Sequence, residues 1–334
     1  FAAQNADKRS IALDLKDPRG LAIAKRLVAR ADVFVENFVP GVATRLGLGY
    51  DALIAVQPKL VYVSLSGFGQ DGELSSRPAY DHIIQAFSGV TMLIGTPDTV
   101  PNRIGPPLFD YLTGIYGATA TLAALRERDR TDAPQRVDVS MLDAGLAAMA
   151  SFVSQTVNTA RPPQPVGNTA ASGSPASGIF ATADGLLALA ANQDHQARAL
   201  IQAIGREAML NDPRFATNEA RLQHFAAFQT ELRAVLLTES AAEWERRLAA
   251  VRVPAARVRT LPETLAEPHV ATRGVVADVG ENGLKVPTAG FKLNGVALAP
   301  STPPRALGAD TDAVLTEIGL SNAEIESLRR DHVV

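Results

Sequence analysis

Asp110 carries the clearest chemical signal in this 334-residue chain. It follows Pro106-Pro107, stands where a helical pattern begins, and is trailed by Gly114 and Gly117. An aspartate at a helix start commonly caps backbone N–H groups. The same place suits an ionised nucleophile, because a helix N-terminus favours negative charge and carboxylates can form covalent intermediates. The glycines bear on the choice. Each costs an exposed helix about 1 kcal/mol relative to alanine, so something is expected to approach this helix closely beside the carboxylate.

Other side chains offer binding rather than bond-making. Arg45 is either a surface cation or a planar fork for phosphate or adenine. Lys8 and Arg9 flank a first apolar run and read the same two ways. The small-residue stretch Ser172-Gly173-Ser174-Pro175-Ala176-Ser177-Gly178 has the composition of a linker, and also of a loop whose N–H groups reach an oxyanion. Asp81 and His82 are adjacent in a helical pattern and so point apart. The other histidines, His195, His224, His269 and His332, are scattered without metal-ligand spacing, and no metal site is expected. Gly67-Phe68-Gly69 is too short for a dinucleotide fingerprint. Cysteine is absent, which excludes disulfides, thiolate zinc sites and thiol nucleophiles.

Composition bounds the rest. The length suggests two domains. Hydrophobic residues make up 46% and the net charge is −3, with no basic block that would point to nucleic acid. No apolar run reaches the length of a membrane span. The chain opens Phe1-Ala2-Ala3-Gln4 without a signal pattern, and reads as starting partway into a domain. The expected location is cytoplasmic.

The elements that position these residues alternate between two periods. Residues 10–15, 33–37, 60–66 and 136–140 read as strands; 18–31, 50–57, 79–92 and 110–128 read as helices. Such alternation predicts an α/β fold with a parallel sheet, and ligands bind beyond the carboxyl ends of such strands. Helix continues from 141 to about 158. A hairpin is expected over 179–190, turning at Asp184-Gly185. Helices follow near 194–204, 216–238 and 241–251, then short strands over 254–306 and a last helix over 310–330.

Several segments in order resemble the CaiB/BaiF family, the class III CoA-transferases. They are Asn5-Ala6-Asp7-Lys8-Arg9-Ser10; Glu36-Asn37-Phe38-Val39-Pro40-Gly41 with Arg45-Leu46-Gly47; Ser64-Leu65-Ser66-Gly67-Phe68-Gly69; Arg77-Pro78-Ala79-Tyr80-Asp81, then Gln85-Ala86-Phe87-Ser88-Gly89; Asp110 itself; Val137-Asp138-Val139-Ser140-Met141-Leu142-Asp143; and Asp212-Pro213-Arg214-Phe215-Ala216-Thr217-Asn218. The resemblance spans nearly the whole chain. It departs in two places: the family begins with a further strand and helix, and Asp7 stands where the family has asparagine.

The resemblance implies a Rossmann-like large domain over 1–150 that lacks its N-terminal part. A linker over 151–178, a smaller α+β domain over 179–270, a linker over 271–306 and a helix over 307–334 returning to the large domain would follow. Two chains would interlock as a homodimer. Asp110 would be the nucleophile that moves CoA from an acyl-CoA to a small organic acid through anhydride and aspartyl-CoA thioester intermediates. Asn5, Lys8, Arg9, Asn37, Phe38, Arg45, Arg77, Tyr80 and Asp81 would hold CoA, and Gly173, Ser174 and Gly178 would shield the site. CoA would be substrate, with no permanent cofactor; no nucleic acid or membrane partner is expected. An α-methylacyl-CoA racemase of the same fold is the alternative. Racemisation needs an acid and a base flanking the α-carbon, and racemases carry histidine where Tyr80 stands. A third reading is a chain that binds CoA or dimerises without turnover, against which Asp110 argues.

Overall fold

A computed structural model describes residues 1–159, 161–170, 172–281 and 283–334. Its chain divides into two compact units. The larger comprises Phe1–Thr91, Arg103–Pro162 and Pro268–Val334; the smaller comprises Met92–Asn102 and Pro163–Glu267.

The larger unit is built on three parallel strands, β1 (Val33–Glu36), β2 (Val61–Ser66) and β3 (Gln135–Ser140), with β2 between the other two. The register pairs Val33 with Val61 and Val61 with Gln135. β2 is apolar along most of its length because both its faces are covered, as in parallel sheets generally. Val61 and Val63 pack with Ala124 and Leu125 on one side. Leu60 and Tyr62 pack with Val28, Leu48 and Leu53 on the other. The covering helices follow from local signals. Helix α1 (Pro18–Val28) starts at Pro18 with the Asp17 side chain accepting from Arg19 N. Three more helices frame the strand ends: α2 (Asp81–Phe87), α3 (Leu108–Thr131) and α4 (Met141–Ala148).

Some expected elements change form. Residues 10–14 form no sheet strand, and Leu15 lies in a turn. Their backbone bonds go to the chain's C-terminal part instead. Ser10 N donates to Asp310 Oδ2 at 2.9 Å, Ala12 N to Thr311 Oγ1 at 3.0 Å and Asp14 N to the Val333 carbonyl at 2.8 Å. The helix expected over 141–158 is two helices, Met141–Ala148 and Ala150–Thr159. The last helix is also two, Thr311–Glu317 and Asn322–Arg330, with Gly319 at φ +89° between them. A glycine in that conformation terminates a helix without a Cβ clash. The pair buries Leu315, Leu320 and Leu328 around Ile23 of α1.

The smaller unit has an antiparallel sheet, β4 (Ser177–Ala181), β5 (Leu186–Ala190) and β6 (Ala255–Arg257). The expected hairpin is present, and Thr182 N donates to the Gly185 carbonyl at 2.9 Å. Helices Asp194–Ala203, Phe225–Leu236 and Ala241–Ala250 cover it, and Phe180, Leu187, Leu200, Phe228, Leu232 and Trp244 form the core. Among the described residues no helix is long and apolar enough to cross a membrane.

Candidate active site

Asp110 is the third residue of α3, and the residue before that helix is Pro107, which supplies no side-chain cap. The cap comes from another helix. Asp81, only 7% exposed, opens α2. Its Oδ2 accepts from Phe109 N at 2.7 Å and from Asp110 N at 3.2 Å. Its Oδ1 accepts from Gln85 Nε2 at 2.5 Å, and Gln85 Oε1 in turn accepts from Ile104 N at 2.8 Å. The approach to α3 is thus pinned by a buried carboxylate and a buried amide one turn apart. Asp110 is left without capping duty: among the described residues its carboxylate accepts no hydrogen bond.

The electrostatics differ from the expectation that the helix end alone would hold Asp110 ionised. Its pKa lies above the ordinary carboxylate value, first because the surrounding wall removes hydration and second because the Asp81 charge is close. A carboxylate made more basic in this way is a stronger nucleophile once ionised.

Asp110 lines a cavity of about 430 Å³ at the carboxyl ends of all three parallel strands. Asn37, Phe38, Val39 and Pro40 enter it after β1, Leu65, Ser66 and Gly67 at the end of β2, and Met141 after β3. Ser75, Arg77, Ala79 and Tyr80 close another side. The Arg77 guanidinium lies 5.7 Å from the Phe68 ring centroid and 5.9 Å from that of Phe87, and has no carboxylate partner among the described residues. Tyr80 is exposed and stacks on His82, with ring centroids 6.2 Å apart. His82 does not line the cavity. The glycines of α3 separate. A Cβ on Gly117 would meet Leu65 Cδ2 at 3.0 Å, so close packing accounts for it, whereas one on Gly114 would enter open space.

The other expected site residues fall in several places. Asn37 and Phe38 are exposed at the cavity. Asp81 is buried, with its carboxylate held against the start of α3. Arg45, on the short helix Val42–Arg45, is exposed without a carboxylate partner among the described residues. Its Nη1 would stand 3.2 Å from a Cβ on Gly41. Lys8 Nζ donates to Asn5 Oδ1 at 3.3 Å, and Arg9 forks onto Glu317 at 2.8 and 2.9 Å; none of these three lines the cavity. Asp7 has φ +59°, a conformation open to Asp and Asn alike, and its carboxylate accepts from Ser301 and Thr302, which lower its pKa to about 2. Gly173, Ser174 and Gly178 lie in the smaller unit, where Ser174 Oγ donates to the Ala191 carbonyl at 3.1 Å and Gly178 has φ +146°.

Thr113 carries no signal in the sequence, and Gln85 and Met141 stand there only within segments that resemble the family, without a role of their own, although Asp81 and Gln85 at i and i+4 are a legible polar pair. A second cavity of about 530 Å³, lined by Ile11, Leu13, Leu27, Phe34 and Leu48 among others, holds no nucleophile opposite a cation. Among the described residues no group of His, Cys, Asp and Glu has the geometry to hold a metal ion.

The description of CoA-transferase family III matches residues 1–311. The chain belongs to that family. It is a class III CoA-transferase by descent and a transferase by class. The chain is 38% identical to a succinate–glutarate CoA-transferase of Agrobacterium fabrum over 86% of this chain and 72% of the relative. It is 35% identical to an acetyl-CoA:oxalate CoA-transferase of Acetobacter aceti over 88% of this chain and 75% of the relative. A crystal structure of a CaiB/BaiF family protein from Brucella suis superposes with a TM-score of 0.85 at 31% identity, covering 95% of this chain and 83% of that one.

Proposed function

We propose that this class III CoA-transferase moves CoA between carboxylic acids by covalent catalysis at Asp110. The observation that carries the reading is the uncapped Asp110 carboxylate at the strand ends, with the helix start secured by Asp81 instead. A carboxylate oxygen attacks the thioester carbonyl, the C–S bond breaks, and an aspartyl–acyl anhydride forms with CoA thiolate released. The thiolate attacks the aspartyl carbonyl and expels the donor acid, leaving an aspartyl-CoA thioester. The acceptor carboxylate attacks that carbonyl, and CoA thiolate leaves again. The thiolate then takes the acceptor acyl group from the new anhydride and frees Asp110. Bonds made equal bonds broken, and no net proton or electron is consumed.

Arg77 and Arg45, both cations without an acidic partner among the described residues, are suited to the phosphates of CoA. The relatives named for succinate, glutarate and oxalate support small organic acids as donors and acceptors. A homodimer belongs to the same proposal. Leu108, Tyr111, Ile115 and Leu122 lie exposed on α3 at spacings of a single helix face. A helix apolar on its outer as well as its inner face is one that a partner covers. Incubation with succinyl-CoA and glutarate or oxalate, followed by chromatography of CoA esters, tests the transfer. A new CoA ester is the expected product. Release of free CoA alone, across a panel of acids, would rule the reading out.

A further inference from the structure

We infer that Gly114 makes room for the acyl group and sets how large a substituent next to the thioester carbonyl the enzyme accepts. This rests on the transfer reaction proposed above. Asp110 and Gly114 are one helical turn apart, so a side chain at 114 would stand beside the carboxylate. Both residues line the same cavity. Helix interiors disfavour glycine, and the usual compensation is close packing. Gly117 has that compensation in Leu65, and Gly145 of α4 has it in Phe109, whose Cε1 would lie 1.9 Å from an added Cβ. Gly114 has none, since apart from its chain neighbours and the backbone of its own helix nothing lies within 4 Å of where its Cβ would be. Its φ is not in the left-handed region either, so backbone conformation does not require glycine there. Thr113, between them in the turn, withdraws its hydroxyl onto the Phe109 carbonyl at 2.7 Å. The empty volume therefore lies on the cavity side, next to the reacting carboxylate, where the carbon adjoining the acyl carbonyl must sit during attack.

The test compares wild type, Gly114→Ala and Gly117→Ala by kcat/KM with acetyl-, propionyl- and isobutyryl-CoA and succinyl-CoA, together with thermal unfolding. Gly114→Ala should melt no lower than wild type, because alanine is the better helix former. Its kcat/KM should fall progressively with substitution at the carbon next to the carbonyl, by about tenfold or more for isobutyryl-CoA relative to acetyl-CoA. Gly117→Ala should alter the melting temperature and leave that ratio near the wild-type value. A Gly114→Ala enzyme with an unchanged ratio overturns the inference. So does one that melts lower with an equal loss on every thioester, which would make Gly114 a packing position. Wild type that reacts with none of the thioesters removes the transfer reading, and this inference with it; a reacting wild type beside a flat Gly114→Ala profile removes this inference alone.

Discussion

Asp110 and Asp81 divide between them two tasks that one helix-start aspartate usually combines. Asp81 accepts the backbone N–H groups of Phe109 and Asp110, while the Asp110 carboxylate stays free beside the cavity. That division fixes the expected behaviour of Asp110→Asn. The folded-state pKa of Asp110 is raised by lost hydration and by Asp81. A raised carboxyl pKa means that the folded protein binds the proton more tightly than the unfolded chain, so the stability it contributes is present at low pH and lost as pH rises through the folded value. Asp110→Asn should therefore match wild type at about pH 3, below the ordinary carboxylate pKa of about 3.9, and melt at the same or a higher temperature near neutrality. Thermal unfolding at the two pH values checks it; a variant less stable only at neutral pH would return Asp110 to a capping role. Arg45 is a residue-scale case of a different kind. A contact to the phosphate end of CoA acts in ground and transition states alike, so Arg45→Ala should raise KM for acyl-CoA about tenfold and leave kcat nearly unchanged. Steady-state kinetics would contradict this if kcat fell at constant KM.

The start of α3 is positioned by α2 and the 104–107 turn, through Asp81, Gln85 and Ile104. Asp81→Ala leaves two helix N–H groups without their acceptor and removes the shorter of the two bonds that Gln85 Nε2 donates, the one to the Ile104 carbonyl remaining. The cost should be on the order of 1–2 kcal/mol, and a helix start displaced by about 1 Å should lower kcat by on the order of 100-fold. Asp81→Asn keeps an acceptor oxygen and should recover part of both. A melting curve and a turnover rate for Asp81→Ala that coincide with wild type would show that the helix start holds itself. Much of this level was legible in the sequence. The strands at 33–37, 60–66 and 136–140 and the helix carrying Asp110 were readable because apolar periodicity changes cleanly between them. Residues 10–15 read as a strand for the same reason, since Ile11, Leu13 and Leu15 alternate. Alternation cannot say which partner takes the backbone bonds, and here Asp310, Thr311 and Val333 take them. The capping by Asp81 was hidden because its partners lie 28 and 29 residues away.

At the scale of the whole molecule, the order of motifs along the chain carried more information than any one of them. It led to the family whose description matches residues 1–311. Contacts between distant segments escaped it. Met92–Asn102 belongs with the smaller unit, where Gly95 accepts from Gly167 N, and nothing in the local pattern of either segment says so. The outer face of α3 is where the proposed second copy is most exposed to test. Ile115 and Leu122 are 63% and 69% exposed. Ile115→Glu with Leu122→Glu should shift sedimentation from dimer toward monomer at micromolar concentration. A wild-type protein that sediments as a stable folded monomer contradicts the proposed dimer.

The central claim, covalent catalysis at Asp110, is tested most directly by mass spectrometry of the protein quenched after brief incubation with acyl-CoA and digested. The peptide containing Asp110 should carry the mass of CoA, or of the acyl group, attached at that residue. The adduct should disappear when acceptor acid is added, and Asp110→Asn should show none while remaining folded. An unmodified Asp110 peptide in an actively transferring enzyme, or an Asp110→Asn variant that still transfers CoA, would contradict the account.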